Sequence, residues 1–400
     1  VLLSASHNAA AFDWPQWRGP DRTDVSKETG LLKTWPAGGP KRVWLFRNAG
    51  SGYSGPAIVN GKLFTLGTRG RNEILLALDA NTGAELWTAS LGPILDNNWG
   101  DGPRGTPAVD GDRVYALSGP GNLVCASVAD GKILWRVTMS SLGGDEPNWG
   151  YTESVLVNGA HVLCTPGGRR DTVAALDKMT GKVAWQSKEL TAPAHYSSIV
   201  PAIINGTAQY VQRVEDSIFG LSTADGKLLW ETSFPGQTAV IPTPIVRGNE
   251  VYVTAGYGSG SKLVSIGPGN EVTTIHQNKV MKNHHGGVVL VGEHVYGHGD
   301  PAWVCQNFKT GEAVWRHSGF GKGAVSSADG MLYCLEERSG TVALVEASPA
   351  GWKEHSRFTP EPQSNIRSSS GAIWTHPVVS NGKLYLRDQD LIYCYDVKAP

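Results

Sequence analysis

The stretch Leu78-Asp79-Ala80-Asn81-Thr82-Gly83-Ala84-Glu85-Leu86-Trp87 decides the fold, because close variants of it recur along the chain. Residues 176–185 repeat the Asp-x-x-Thr-Gly turn and the Trp after it, and residues 129–135, 224–230 and 309–315 carry shortened forms that also end in Trp. In such a turn Gly takes the positive φ that the backbone requires, while the Asp or Thr side chain bonds free backbone groups. Each copy is therefore predicted to be a hairpin whose second strand carries a Trp that packs flat on a neighbouring sheet.

A second hairpin unit recurs eight times: an apolar strand, a Gly-containing turn and another apolar strand. Its turn glycines are Gly61, Gly111, Gly159, Gly206, Gly248, Gly292, Gly330 and Gly382. The intervals between them run from 38 residues (Gly292 to Gly330) to 52 residues (Gly330 to Gly382), which is the size of a propeller blade, roughly 40–50 residues. We therefore predict an all-β fold, an eight-bladed β-propeller with four-stranded antiparallel blades.

The two chain ends are predicted to share one blade. The last repeat stops after residues 391–396 without an outer strand, and the segment around Trp44, before the first repeat, has the character of that strand. Closure by this N-terminal strand leaves no open sheet edge. The fifth and seventh repeats lack the Trp: Ile275 falls near its position in the fifth, and a divergent stretch surrounds Trp352 in the seventh. Those two interfaces are expected to pack differently.

The chain is divided into three parts. Residues 1–11 read like the remnant of a signal peptide, which predicts a periplasmic or secreted protein, although an ordinary N-terminus has the same composition. Residues 12–40, rich in Trp, Pro and Gly, are expected to form an irregular arm on the ring, and residues 41–400 a single eight-bladed propeller. The sequence holds no apolar run of the ~18 residues that a membrane-spanning helix needs.

Composition excludes several function classes. The formal net charge is −1, from 35 basic and 36 acidic residues, which disfavours nucleic acid as a partner. The five cysteines form no C-x-x-C pair, so buried free thiols are expected rather than a disulfide framework or a zinc site. The sequence has no G-x-S-x-G, Walker or H-E-x-x-H motif, and catalytic residues therefore stay unassigned.

Loops that lead into the innermost strands gather at one mouth of a propeller channel, and here they combine aromatic rings with polar groups. Such a combination suits a small molecule, a sugar or a peptide. The predicted ligand-binding residues are Tyr53, Trp99, Asp101, Arg104, Trp149, Tyr151, Glu153, His195, Tyr196, His284, His285, Trp374 and His376. An Arg104–Glu153 pair is expected to grip the ligand, and Asp101 or Glu153 beside a His is the acid–base candidate.

Two other interpretations of these loops stay open. The same side chains can simply plug the channel and bond exposed carbonyl groups. Imidazoles are good ligands for transition metals, but the histidines come from separate loops without diagnostic spacing, so no metal is assigned.

The Asp-x-x-Thr-Gly-x-x-x-Trp units resemble the repeats of pyrroloquinoline-quinone-like (PQQ-like) propellers, a family that includes quinoprotein alcohol dehydrogenases and BamB-type assembly lipoproteins. The resemblance runs from about Trp14 to Val397, and residues 14–22, 283–287 and 386–390 look like a group of exported members. The dehydrogenases imply PQQ with calcium as a cofactor, held beneath an adjacent Cys-Cys pair that this chain lacks. The lipoproteins carry a lipidated Cys after the signal, whereas the first Cys here is Cys125.

Three functions are compatible with this resemblance, because propellers host enzymes, binding modules and scaffolds alike. The preferred hypothesis is a non-catalytic exported module that binds a ligand or a protein through the mouth loops. The alternatives are a PQQ-dependent dehydrogenase that oxidises an alcohol or sugar, and a structural scaffold that uses its rim. No cofactor is assigned with certainty, and PQQ with calcium stays open.

Overall fold

The computed structural model describes residues 12–168 and 170–400. They form eight antiparallel sheets, each with four strands that follow one another from the channel to the rim, so the predicted eight-bladed propeller is confirmed. The sheet of blade 7 has a fifth strand, which the N-terminal arm supplies. The predicted signal-peptide remnant, residues 1–11, lies outside the described residues.

Blades 1 to 4 follow in chain order, with their strands given from the innermost to the outermost. Blade 1 consists of Ala57–Val59, Lys62–Arg69, Asn72–Asp79 and Glu85–Pro93. Blade 2 consists of Ala108–Asp110, Arg113–Leu117, Asn122–Ser127 and Ile133–Thr138, and the short 3-10 helix Ser140–Leu142 follows it. Blade 3 consists of Leu156–Asn158, His161–Cys164, Ala174–Asp177 and Val183–Gln186. Blade 4 consists of Val200–Ile204, Thr207–Arg213, Ser217–Ser222 and Leu228–Ser233.

Blades 5 to 8 complete the ring. Blade 5 consists of Ile245–Arg247, Glu250–Ala255, Gly260–Ile266 and Val272–Asn278. Blade 6 consists of Val288–Val291, His294–His298, Trp303–Asn307 and Ala313–His317. Blade 7 consists of Gly323–Ala328, Met331–Glu336, Val342–Glu346 and Glu354–Phe358, with Val25–Ser26 added beside its inner strand. Blade 8 consists of Val378–Ser380, Lys383–Asp388, Leu391–Asp396 and Lys41–Phe46.

The chain ends meet in blade 8, as predicted. Strand Lys41–Phe46 pairs antiparallel with Leu391–Asp396, and Trp44 lies opposite Cys394. The five cysteines are buried free thiols, also as expected. The described residues include no helix with the length and hydropathy that crossing a bilayer requires.

Tryptophans dock neighbouring blades, as the repeat predicted. The indole Nε1–H of Trp87 in blade 1 donates to the carbonyl of Val128 in blade 2 over 3.2 Å, and Trp135 donates in the same way to Lys178 of blade 3 over 3.0 Å. The repeated Gly lies under the ring: a Cβ built on Gly131 would stand 2.5 Å from the Trp87 ring. The Thr-Gly or Asp-Gly turn is therefore needed for close packing as well as for its positive φ.

The two divergent interfaces do pack differently, but not through the residues expected. In blade 5 the docking position belongs to His276, whose Nε2 lies 3.0 Å from the Phe308 carbonyl oxygen, while Ile275 faces solvent. The outer strand bulges at Ile275, so that His276 lies opposite Leu263, as the equivalent bulge of blade 1 places Trp87 opposite Ala77. The docking residue is therefore the one that follows Ile275, the residue that the sequence placed near this position.

In blade 7 the N-terminal arm supplies the missing ring. Ser356 occupies the docking position, and its hydroxyl accepts a hydrogen bond from the backbone N–H of Trp35 over 2.8 Å. The Trp35 ring then packs edge-on against Phe358 at 5.2 Å. Trp352 instead stacks on His317 of blade 6, with ring centroids 4.5 Å apart.

The first part of the arm crosses the channel. The backbone of Trp14 pairs with Ile58 of blade 1, the Arg22 guanidinium donates to the Ser154 carbonyl of blade 3, and Val25–Ser26 runs parallel to the inner strand of blade 7. Arg18 and Arg22 are each only 2% exposed. The arm therefore joins inner strands from different sides of the ring and closes the channel between them.

Candidate ligand site at the channel mouth

The leading loops, which run into the inner strands, end at one mouth of the channel and surround a cavity of about 300 Å³. Every blade contributes lining residues to it. This volume lies at the lower end of the ~300–1,000 Å³ that ligand pockets span. The loops thus enclose a space, which we call the cup, rather than filling the mouth completely.

Most of the predicted site residues line the cup. They are Tyr53, Trp99, Arg104, Trp149, Tyr196, His284, His285, Trp374 and His376.

Four predicted residues are held elsewhere by other partners, and none of them is among the described residues that line the cup. Asp101 accepts a hydrogen bond from the backbone N–H of Asn97, and the Tyr151 hydroxyl donates to the Pro166 carbonyl. The His195 ring packs against Trp149, and burial lowers its pKa to about 4.

Glu153 and Arg104 do not form the expected ligand-gripping pair. The Glu153 carboxylate is buried and accepts hydrogen bonds from the backbone N–H and the hydroxyl of Thr165. Burial raises the pKa of Glu153 to about 7. The Arg104 guanidinium donates to the carbonyls of Gly100 and Gly102, which folds its own loop. Glu153 therefore supports blade 3, whereas Arg104 reaches the cup alone.

Several lining residues come from segments that the sequence analysis did not assign to the site. Trp17 belongs to the arm, residues 238–241 lie in the leading loop of blade 5, and Tyr257, Glu337 and Arg338 lie in turns between second and third strands. Because the strands are antiparallel, those turns end at the same mouth as the leading loops. Two features of the sequence could have pointed to these residues: Tyr257 stands between two glycines, and the arm begins with two Trp residues, Trp14 and Trp17.

The floor of the cup is closed by the arm. The Trp17 ring packs against His376 with centroids 4.6 Å apart. His376 Nδ1 lies 2.9 Å from the Asp24 carboxylate, and Arg18 Nε lies 2.9 Å from the same carboxylate. All three charged or polar partners are buried, so the cup is blind at its base.

The aromatic walls already use many of their ring faces. Trp374 packs against His285, at 4.4 Å and nearly parallel, and against Tyr53, at 5.1 Å and tilted. Trp149 stacks on Tyr196 at 5.2 Å. The indole Nε1–H of Trp149 is buried and has no hydrogen-bond partner in the described part of the chain, whereas that of Trp374 is directed to the Glu337 carboxylate.

The charge of the wall comes from Arg and Lys rather than from histidine. Burial lowers the pKa of His284 to about 3 and the pKa of His285 well below its usual value, so both rings are neutral at pH 7. Lys322 Nζ donates to His284 Nδ1 over 2.7 Å. Among the lining residues the carboxylate is Glu337, whose pKa burial raises. The cationic side chains among the lining residues are Arg104, Lys322 and Arg338.

A family model described as outer membrane protein assembly factor BamB (PQQ_2) matches residues 70–317. The match takes in more than half of the chain and most of the repeats. The chain belongs to this family of PQQ-like propellers.

Individual relatives of this PQQ-like propeller are distant. BamB of Yersinia pestis is 22% identical over 360 residues, which cover 82% of each protein. The serine/threonine-protein kinase AfsK of Streptomyces griseus is 28% identical over 190 residues, which cover 46% of this chain but 22% of the kinase. The quinohemoprotein alcohol dehydrogenase of Comamonas testosteroni superposes with a TM-score of 0.65 at 11% identity, over 97% of this chain and 81% of that chain. At that identity the superposition shows the fold alone.

The cup does not fit the calcium-bound quinone that the dehydrogenase relatives imply. Calcium takes six to eight oxygen ligands, mainly carboxylates and carbonyls, whereas Glu337 is the carboxylate among the residues that line the cup. No group of three or more His, Cys, Asp or Glu side chains in residues 12–168 and 170–400 is arranged to hold a metal ion. A planar quinone also needs a free ring face to stack on, and Trp374 already stacks on His285.

Proposed function

We propose that this PQQ-like propeller is an exported, non-catalytic binding module whose ligand sits in the cup. The observation that carries the proposal is the blind cup itself, which loops from all eight blades surround and the arm closes. Aromatic rings supply apolar area, and the side chains of Arg104, Lys322 and Arg338 supply convergent donors. Concave, mostly apolar sites with a few fixed polar groups are the usual form of ligand sites.

Binding is favoured over catalysis by the protonation states of the wall. A general base works best with a pKa near the operating pH, but His284 and His285 have strongly lowered pKa values. Asp101 and Glu153, the acid–base candidates from sequence, do not line the cup. The dehydrogenase alternative loses support because the residues that line the cup do not fit calcium-bound PQQ.

A second candidate is a protein-binding scaffold. The alignment with BamB of Yersinia pestis covers 82% of both chains, and that relative is named as an outer membrane protein assembly factor. Its name favours export of this chain and a protein partner. In this candidate the rim or the mouth contacts a protein, and the cup receives a side chain of it.

The experiment is calorimetric titration of four probes into the protein: PQQ with calcium chloride, trigalacturonate, maltotriose and triglutamate. Thr238 is exposed and lines the cup, so Thr238→Trp should block the mouth without disturbing packing. Thr207, exposed at the opposite end of blade 4, provides the control Thr207→Trp. We expect at least one probe to bind the wild type and Thr207→Trp, and not Thr238→Trp. Absence of binding by every probe, or binding that Thr238→Trp leaves intact, contradicts the proposal.

A further inference from the structure

Two cations of the cup lie across the ring from a pair of stacked aromatic rings. Lys322 and Arg338 belong to blade 7, while Trp149 leads into blade 3 and stacks on Tyr196 of blade 4. In a ring of eight blades, blades 3 and 7 are four blades apart and face each other. The third cation, Arg104, leads into blade 2 and lies 5.4 Å from the centroid of the Tyr53 ring. A ligand that spans the cup therefore meets Lys322 and Arg338 on one side and the Trp149–Tyr196 pair on the other.

The cations of the cup are incompletely neutralised. The exposed Arg338 guanidinium has no carboxylate within 4.0 Å among the described residues, and Arg104 bonds backbone carbonyls only. Lys322 Nζ forms an ion pair with the Glu337 carboxylate over 3.7 Å. Three cations, Arg104, Lys322 and Arg338, face the single carboxylate Glu337 among the lining residues, and His284 and His285 are neutral, so the wall carries net positive charge. An anionic ligand complements it, and Arg with carboxylate makes the stronger, charge-assisted hydrogen bonds.

Two aromatic rings are exposed at the rim of the cup. Trp99 is 53% exposed and Tyr257 is 49% exposed, although both line the cup. The backbone of Tyr257 is held at φ +53°, a region that bulky residues rarely adopt and that is retained at functional sites, and its ring packs at right angles to His284 at 4.7 Å. Exposed rings offer stacking to the C–H face of a pyranose, because the face of an aromatic ring carries partial negative charge.

The closed floor limits how a long ligand enters. Trp17 and His376 fill the channel beneath the cup, so a polymer cannot thread through the ring. Only one end of it fits inside a volume of about 300 Å³, and its next units lie across the rim, beside Trp99 and Tyr257.

We propose that the cup binds the end of an acidic oligosaccharide. The terminal carboxylate lies against Lys322 and Arg338, the terminal sugar ring lies in the cup towards Trp149, and the following sugars stack on the rim rings. This inference rests on the proposed function and names the ligand class of the same site. Planar aromatic acids suit the cup less well, because Trp374 already stacks on His285 and Trp149 already stacks on Tyr196.

The test compares trigalacturonate with neutral maltotriose by calorimetry. We expect trigalacturonate to bind at least about tenfold more tightly, and Arg338→Gln to weaken it about tenfold, because each charged hydrogen bond contributes that much. Trp99→Ala should weaken both trisaccharides. Lys132→Gln removes an exposed cation at the opposite end of the propeller and should change neither. Raising sodium chloride from about 0.05 M to about 0.5 M should weaken the acidic sugar selectively, because salt screens exposed charges.

The outcomes separate this inference from the proposed function. Equal binding of both trisaccharides, or binding of PQQ or triglutamate without trigalacturonate, in each case blocked by Thr238→Trp, overturns the acidic oligosaccharide and leaves a binding cup. A tight trigalacturonate complex that Arg338→Gln and Lys322→Gln do not weaken also overturns it. Failure of all probes overturns the proposed function with it.

Discussion

Tryptophan serves two purposes in this propeller, and the two regions that use it differ in what the indole ring faces. Between blades, Trp87, Trp135 and Trp185 each rest on a turn glycine of the next blade, and Trp87 and Trp135 also donate their Nε1–H to a carbonyl there. At the mouth, Trp149 and Trp374 line the cup. The same side chain therefore stabilises the ring where it recurs, and lies within reach of a ligand where it does not.

The largest effect is expected at the arm that closes the cup. Arg18→Met leaves Asp24 buried without its guanidinium partner, and breaking a buried ion pair costs about 3–5 kcal/mol of unfolding free energy. Guanidinium chloride denaturation measures it. The control Lys27→Met breaks an exposed pair with Asp21 and should cost less than about 1 kcal/mol. Similar small losses for both variants would show that the arm is not part of the folded ring.

Trp135 and Trp99 compare the two uses of indole directly. Trp135→Ala removes a docking ring and its hydrogen bond to Lys178, and should lower the unfolding free energy by about 2–3 kcal/mol, since the ring is only half-buried. Trp99→Ala at the rim should lie within about 0.5 kcal/mol of the wild type. Thermal and chemical denaturation of both variants measure the difference. Equal destabilisation would contradict the division of roles.

Glu153 should make the unfolding free energy of the protein depend on pH. Its folded-state pKa is raised to about 7, so the folded protein holds the proton more tightly than the unfolded chain. The resulting stabilisation is present below the ordinary carboxyl pKa and is lost as pH rises towards 7. Between pH 5 and pH 8 the wild type should therefore lose up to about 2–3 kcal/mol that Glu153→Gln does not lose. The control Glu231→Gln, at an exposed position, should show the same dependence of unfolding free energy on pH as the wild type. If Glu153→Gln also shows that dependence, the raised pKa of Glu153 is contradicted.

The smallest difference between paired variants is expected at the glycine beneath each docking ring. Both Gly131 and Gly111 have positive φ, but a Cβ on Gly131 meets Trp87 at 2.5 Å and one on Gly111 meets no atom within 4 Å. Gly111→Ala should cost about 1 kcal/mol for strain alone, and Gly131→Ala about 1–2 kcal/mol more because of the clash. Denaturation midpoints measure both, and equal costs would mean that the ring does not rest on the turn.

The ring was predictable from sequence because its determinants are local and repeated. The turn at Gly83 and Trp87 lie within one hairpin, and each copy reports the same geometry. The cup was only partly predictable, because Trp17 reaches it from the arm and Arg338 from a turn between second and third strands. Glu153 was misplaced since its neighbours suggested the mouth, whereas its side chain points to Thr165. The direction in which a side chain such as Glu153 points depends on contacts with residues that are distant in sequence.

The most direct test of a binding cup at the mouth is the indole spectrum of protein labelled with ¹⁵N-tryptophan, recorded with each of the four probes and assigned through Trp→Phe variants. We expect that a bound probe shifts the Trp149 and Trp374 Nε1–H signals and leaves those of Trp44, Trp87 and Trp135 in place. Signals that stay fixed at the mouth with every probe, or that move only between blades, would contradict it.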